Sequence, residues 1–409
     1  MLRCLIPALF VLTLFGCAEE DEPGPAAQVT IIADVPTDTG AVYLTGSDEQ
    51  FGPWDAAGVL MVGDDTERRA SVILPTGTDL QYKFTLGDWS REAVDDNGFP
   101  YPNFSLIAED GMVVAHRLGG FKPELQALLD DWQGSGVIGT LVHETNVKSA
   151  FLALPRNVTV WLPPGYSDPA NQDQRYRVIY MTDGENLFDP RIANTGIDWG
   201  VDEAMARLVE ANNVEPAIIV ATWSTAQRLF DYSPWHNGPD YARMLIEEVK
   251  PHIDAGYRTR PGREDTFAMG SSMGGLMATY LVTQHSDTFS ACGCVSTHVT
   301  LSEAMIAQWT GTDTPSAARQ TYLDSAIAEG RLSIPPSVRM FFDYGTKGLD
   351  ADYGPGHDAL RAHLKAAGLT EGAEFLIKDY PNADHNEASW RARVGDQLAW
   401  LLAERAPQQ

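Results

Sequence analysis

Positive charge is scarce in this sequence. Lys and Arg number 29 against 56 Asp and Glu, which leaves a formal net charge of −27. A surface of that sign repels phosphate backbones, so nucleic acid is excluded as a partner and neutral or cationic molecules are favoured. The plainer reading of the acidity is solubility. Cysteine is scarcer still, at four residues. Two fall within the first seventeen positions, and the other two, Cys292 and Cys294, sit in the apolar stretch FSACGCVST. They read as a small buried thiol pair or as a Cys-Gly-Cys disulfide. No further Cys or His stands at a spacing that completes a metal site, so neither a metal nor another cofactor is expected. No apolar run reaches the ~20 residues a spanning helix needs. A repeat of fixed period is also missing.

What is present is enough apolar material for more than one core. The chain has 409 residues, 44% of them hydrophobic and 10% aromatic, which suggests two or three domains. Residues 1–17 read as a targeting segment: Arg3 supplies the charge, and Leu5 to Phe15 is an apolar core too short to cross a bilayer. Leu14-Phe15-Gly16-Cys17 resembles the lipobox of bacterial lipoproteins. The resemblance implies lipidation of Cys17, a polar tether over 18–27, and an exported protein anchored to a membrane by lipid. Ordinary secretory cleavage is the alternative.

From 28 to 117 the sequence runs in short alternating stretches broken by turns, among them QVTIIADV, ASVILP, LQYKFTLG and GMVVAHRL. This spacing predicts a small antiparallel β-sandwich. Residues 118–136 read as a linker with a short helical stretch and a Gly/Ser break. Over 137–405 the grammar changes. Apolar runs such as RVIYMTDG, AIIVATWS, TFAMGSS and VRMFFDYG alternate with amphipathic ones such as GVDEAMARLVEAN and YARMLIEEVKPHI. Such alternation predicts an α/β domain with a mostly parallel sheet covered by helices on both faces.

One strand-to-helix junction stands out. In TFAMGSSMGG, Gly270-Ser271-Ser272-Met273-Gly274 fits G-x-S-x-G. A bend that sharp tolerates no side chains at its flanks and would display Ser272 above the sheet, at the positive end of the next helix. A Gly-rich turn used only for close packing would look the same, so the motif needs partners. A hydroxyl becomes a nucleophile when a base takes its proton, and in this arrangement acid and histidine follow the serine in chain order. His385, in NADHNEASW between the last strand and the last helix, is the base of choice. His357 and His363 fall in the helical stretch GHDALRAHLKAAG and read as surface residues. FFDYGTKGLDADYG offers Asp343, Asp350 and Asp352. Asp343 belongs to the strand and Asp350 to the loop, and Asp350 is preferred. For the oxyanion, one backbone N–H is expected from Met273 and a second from Gly184, Glu185 or Asn186, with Glu185 the middle choice. DGENLF stands there in place of an HGGG loop.

The catalytic half resembles the putative-esterase group of α/β-hydrolases, which includes enterochelin, feruloyl and acetylxylan esterases. The matching stretches are VTVWLPPGY, VIYMTDGENLF, EEVKPHIDAGYRTRP, GSSMGG, FDYGTKGLDADY and ADHNEASW, spread across residues 156–402. The resemblance implies an α/β-hydrolase fold and a metal-independent serine esterase, and it carries Ser272 and His385 over. Many relatives place the acid where this chain has Gly348, so the acid stays open between Asp350 and Asp343. The amino-terminal half is similar to starch-binding modules of the carbohydrate-binding family-20 type, through AVYLTGSDEQFGPW and LPTGTDLQYKFTLGDW. That likeness implies sugar stacking by Trp54 and Trp89; the alternative is that both pack in the sandwich core.

Three more residues face the same sheet edge in this reading. Trp223 and Arg228, in ATWSTAQRLFDYSP, are expected to line the substrate pocket, although a salt bridge to a nearby acid would equally account for Arg228. His298, just past ACGCVST, takes a rim position and no catalytic task. The expectation is an exported serine ester hydrolase acting on a small-molecule or glycan-linked ester. A catalytically silent glycan-binding lipoprotein and a siderophore esterase are the alternatives.

Overall fold

The computed structural model describes residues 25–51, 54–299, 334–335 and 337–403. The segment 1–17, with Cys17, and most of the tether lie outside the described residues. The described chain forms two units, one made of residues up to Trp89 together with Asn103–Gly119, the other of Ser90–Pro102 and everything from Gly120 onward.

The first unit is built from two four-stranded sheets. One has the order β4 (Val62–Gly63), β5 (Glu67–Pro75), β1 (Ala26–Asp34), β9 (Val113–Arg117); the other runs β3 (Val59–Leu60), β2 (Tyr43–Gly46), β6 (Asp79–Thr85), β8 (Phe104–Ile107). Period-two alternation explains the layering. On β1, Ala27, Val29, Ile31 and Ala33 are fully buried, while Gln28 is exposed. Leu44, Leu80, Tyr82 and Phe84 are buried from the other sheet. The sandwich departs from a purely antiparallel one at β1–β9, whose strands run parallel.

In the second unit, β7 (Ala93–Val94) pairs with β10 (Gly120–Phe121). The structure thus joins 90–102, which reads as sandwich in sequence, to the segment after residue 119. The stretch read as linker holds β10 and helix α1 (Leu125–Asp130). The main sheet has eight strands, in the order β11 (Thr140–Val147), β12 (Arg156–Leu162), β14 (Ala217–Thr222), β13 (Arg177–Thr182), β15 (Thr266–Ser271), β16 (Ala291–Val295), β17 (Arg339–Gly345), β18 (Phe375–Tyr380). The first two strands pair antiparallel and the remainder parallel.

The central strands β14 and β15 are buried at every position because both faces are covered. Val178, Tyr180, Ile218, Val220 and Ala268 point into one core, shared with α4 (Gly238–Arg243), α5 (Lys250–Gly256), α6 (Met273–Gln284) and α7 (Gly354–Ala366). Ile179, Met181, Ile219, Ala221, Phe267 and Met269 point into the opposite core, with α2 (Val201–Glu210) and α8 (Glu387–Leu402). A short helix, α3 (Arg228–Asp231), follows β14. Cys292 and Cys294 lie buried on β16 as free thiols, with their sulfur atoms 3.1 Å apart. The arrangement is an α/β-hydrolase fold preceded by a β-rich unit. Among the described residues, no helix is long and apolar enough to cross a membrane.

Candidate active site

Six loops leave the carboxyl ends of parallel strands on one edge of the sheet, the edge where open α/β sheets hold their ligands. The loop after β15 is shortest: Ser271 ends the strand and Met273 begins α6, leaving Ser272 alone to make the turn. Its φ of 58° and ψ of −122° are rarely adopted by a residue with a Cβ, and holding them costs about 1–3 kcal/mol. The glycines around it have a steric reason. A Cβ on Gly270 would press within 2.6 Å of the Gly274 carbonyl carbon, and one on either residue would run into Thr182 Oγ1. A Cβ on Gly275 would collide with Thr297 Oγ1.

The Ser272 hydroxyl is bonded to an imidazole, and it is that of His298. Ser272 Oγ lies 2.7 Å from His298 Nε2. On the far side of the ring, His298 Nδ1 lies 2.5 Å from Tyr353 Oη. Both Ser272 and His298 are buried. Burial, then the neighbouring His385 and Arg228, pull the His298 pKa down to about 3, so the ring is neutral at physiological pH.

His385 is one ring further out. The imidazoles of His298 and His385 stack with centroids 5.4 Å apart and planes at 27°. His385 Nδ1 meets Asp350 Oδ1 at 2.6 Å. No hydrogen bond joins Ser272 to His385; the two converge on His298. Trp390 packs edge-on against the outer side of His385, 5.2 Å between centroids.

The aspartates of the acid loop have different partners. Asp343 stays on β17, where Arg393 Nε at 3.1 Å and Gln397 Nε2 at 2.7 Å hold its carboxylate beneath the sheet edge. Asp350 sits on a 3-10 turn over Gly348–Asp352, and its Oδ2 accepts from Gly345 N at 2.7 Å and from Ser296 Oγ at 2.5 Å. Burial pushes its pKa up, but the hydrogen bonds from His385, Ser296 and Gly345 outweigh that and leave it below the ordinary value. Ser296 is itself held by Trp390 Nε1 at 3.0 Å and Arg393 Nη2 at 2.6 Å. Asp352 is exposed and takes no part. Gly348 has φ 55° and faces Asp384 so closely that a Cβ would overlap its carboxylate.

The remaining expected residues divide. Met273 opens α6, where a first-turn N–H has no intrahelical partner. Glu185 is buried in the 3-10 turn Gly184–Asn186 after β13. Its carboxyl accepts from Ser224 N at 3.0 Å and from the Ser224 hydroxyl, and burial with the nearby Asp183 raises its pKa. Arg228 is engaged by Asp183, with Nε at 2.6 Å and Nη2 at 2.8 Å. Of the two readings of Arg228, the geometry is that of the salt bridge. Trp223 donates to Thr159 Oγ1 at 2.9 Å and packs against Leu128, Leu129 and Ile192, which ties it to α1. His357 corrects the sequence reading, since it is fully buried and bonded to the Tyr353 carbonyl at 3.0 Å; His363 is half-buried.

In the first unit, Trp54 is half-buried and Trp89 is 39% exposed. Their rings lie 6.3 Å apart at 39°, and Trp89 Nε1 donates to the Trp54 carbonyl at 3.2 Å. Neither is a core residue.

The family described as Putative esterase matches residues 149–401, which span the elbow, both histidines and the acid loop. The chain belongs to that family. This esterase is similar in fold to the enterobactin esterase FES from Shigella flexneri, at 14% identity and a TM-score of 0.51, over 91% of this chain and 92% of that one. A ferulic acid esterase matches at 22% identity and a TM-score of 0.48, over 65% of this chain and 98% of its own. FphF, a fluorophosphonate-binding serine hydrolase of Staphylococcus aureus, matches at 14% and 0.48, over 65% and 100%.

Sequence order had given His298 no task, because a later histidine fills the base position. The signal was there all the same: a histidine just past a strand that neighbours the nucleophile strand. Tyr353 and Trp390 end stretches that resemble the family but had no role assigned, and Ser296 and Arg393 carried no motif; only the folded loops bring them in.

Proposed function

We propose that this esterase hydrolyses carboxylic esters through Ser272, with His385 as general base and Asp350 as its orienting acid. The supporting observation is the Asp350–His385 bond, one stacked ring away from the hydroxyl at the elbow. A proton on His298 is disfavoured by roughly 5 kcal/mol relative to water, from its pKa of about 3 against the ordinary 6.5. His385 instead has the Asp350 carboxylate at its back, which orients the ring and leaves Nε2 to take a proton. Free enzymes often hold their catalytic hydrogen bonds long and tighten them on substrate binding.

The chemistry balances in two halves. Ser272 Oγ bonds to the ester carbonyl carbon as its proton passes to His385 Nε2. The tetrahedral oxyanion takes N–H bonds from Met273 and from the Gly184–Asn186 turn. The ester C–O bond then breaks and the alcohol leaves with the proton from His385. Water attacks the acyl-enzyme by the same route and frees the acid.

A fluorophosphonate probe tests this reading. Wild-type protein should be labelled and Ser272→Ala should not; absence of labelling in both points to a catalytically silent binder. Nitrophenyl esters of rising acyl length, with feruloyl esters and enterobactin beside them, define the acyl side. Trp89, exposed beside the half-buried Trp54, supports glycan binding by the first unit, and the lipobox-like segment supports export with a lipid on Cys17.

A further inference from the structure

The proton on His298 can be located from its partners. Tyr353 is buried, and burial holds its phenol pKa above the ordinary value, so it keeps its proton. The one hydrogen-bond partner of that hydroxyl among the described residues is His298 Nδ1. If Nδ1 carried the ring proton, the phenol would accept it and leave its own proton buried without a partner, which is costly. If the phenol donates, Nδ1 is the bare nitrogen and the neutral ring carries its proton on Nε2. Nε2 faces Ser272 Oγ at 2.7 Å. The serine then accepts from His298, and its own proton remains for another base.

We propose that His298 is a further catalytic residue, a hydrogen-bond donor to the nucleophilic oxygen whose tautomer is set by Tyr353. The inference rests on the reading of Ser272, His385 and Asp350 given above. Two imidazoles then divide the work on one oxygen. His385 removes the proton, and His298 supports the negative charge that grows on Oγ as the proton leaves. A second imidazole accepting from Oγ would compete with His385; a donating one does not. The stacked geometry, 5.4 Å between centroids, sets His385 against the ring that holds Ser272 Oγ.

Nitrogen-15 NMR of the full chain labelled at histidine reads the tautomer directly. The expected result is a protonated Nε2 and a bare Nδ1 at His298; the opposite pattern overturns the proposal. Kinetics with a nitrophenyl ester supply the second test. His298→Ala should lower kcat roughly 10²-fold, the loss typical of one donor to a developing oxyanion, with KM nearly unchanged. His298→Gln, whose amide nitrogen can occupy the Nε2 position, should recover at least a tenfold part of that. Tyr353→Phe should lower kcat several-fold by freeing the tautomer. Thermal melts of all three identify any variant that fails to fold, and the isosteric Gln variant then carries the test. His298→Ala at wild-type rate, or a Gln variant no better than Ala, sinks the donor role while a dead Ser272→Ala leaves the hydrolytic reading intact. An active Ser272→Ala overturns that reading itself.

Discussion

Asp350 Oδ1 stands 2.6 Å from His385 Nδ1, while Asp343, seven positions earlier and just as buried, touches Arg393 and Gln397 instead. The two carboxylates should therefore fail differently. Asp350→Asn should lower kcat by roughly 10²–10⁴-fold, the usual range for disabling a general-base pair. Asp343→Asn should leave kcat within about tenfold but lower the melting temperature, because the buried Arg393 loses the nearer of its two counter-charges. Rates and melts on both variants decide; a reversed pattern transfers the acid role to Asp343.

The elbow glycines make a second test. Gly274→Ala drives a methyl into Thr182, whose Oγ1 the new carbon would overlap and whose Cβ would lie 3.2 Å from it. Overpacking of this kind costs about 1–3 kcal/mol, and fluorophosphonate labelling should fall with it. Thr182→Ala in the same molecule should return part of the loss. Gly395, inside α8 with nothing within 4 Å of a new Cβ, is the control. Gly395→Ala should stabilise by ~0.5–1 kcal/mol.

Stability should fall between weakly acidic and alkaline pH because of a site away from the nucleophile. Asp202 is buried on α2 beside Glu203, and burial, then its bond to Glu203, raise its pKa to about 8 from 3.8. The folded state keeps a proton that the unfolded chain has released above pH ~4, so the native state binds more protons and loses stability as pH rises toward 8. Arg391, paired with Glu203 and Asp198, does not reach Asp202. Asp202→Asn should melt several degrees higher than wild type at pH 8 and match it near pH 4. A pH-independent difference contradicts the assignment.

For the first unit the measurement is retention on insoluble starch. Sugar rings stack on flat aromatic faces, and Trp89, exposed beside the half-buried Trp54, offers such a ring. Wild type should be retained and Trp54→Ala released. A wild type that washes through removes starch from the reading.

Much of this architecture was legible in advance. Strands buried on both faces read as unbroken apolar runs, and the elbow glycines advertised a turn with no room for side chains. Legibility ended where placement depended on loop length. Nothing in GTKGLDADY tells which carboxylate curls back under a histidine; that is decided by the 3-10 turn at Gly348–Asp352 and by Ser296 reaching across from β16. His298 has no task on chain order alone, because chain order says which histidine comes last but not which one meets the hydroxyl. The buried His357 looked like a surface residue because a helical stretch shows its period more readily than the face that meets a neighbour. Arg228 could be read either way until Asp183 was found against it.

The helix after His385 does more than close the sheet. Trp390 and Arg393 grip Ser296, Ser296 grips Asp350, and Asp350 orients His385. A ribosome therefore completes the strained serine bend more than a hundred codons before it makes the struts that arm it. On the roles proposed for Ser272, His385 and Asp350, a nascent chain should carry a disarmed nucleophile until α8 has emerged and docked, and a protease that clips α8 from the finished protein should silence it while leaving Ser272 itself untouched.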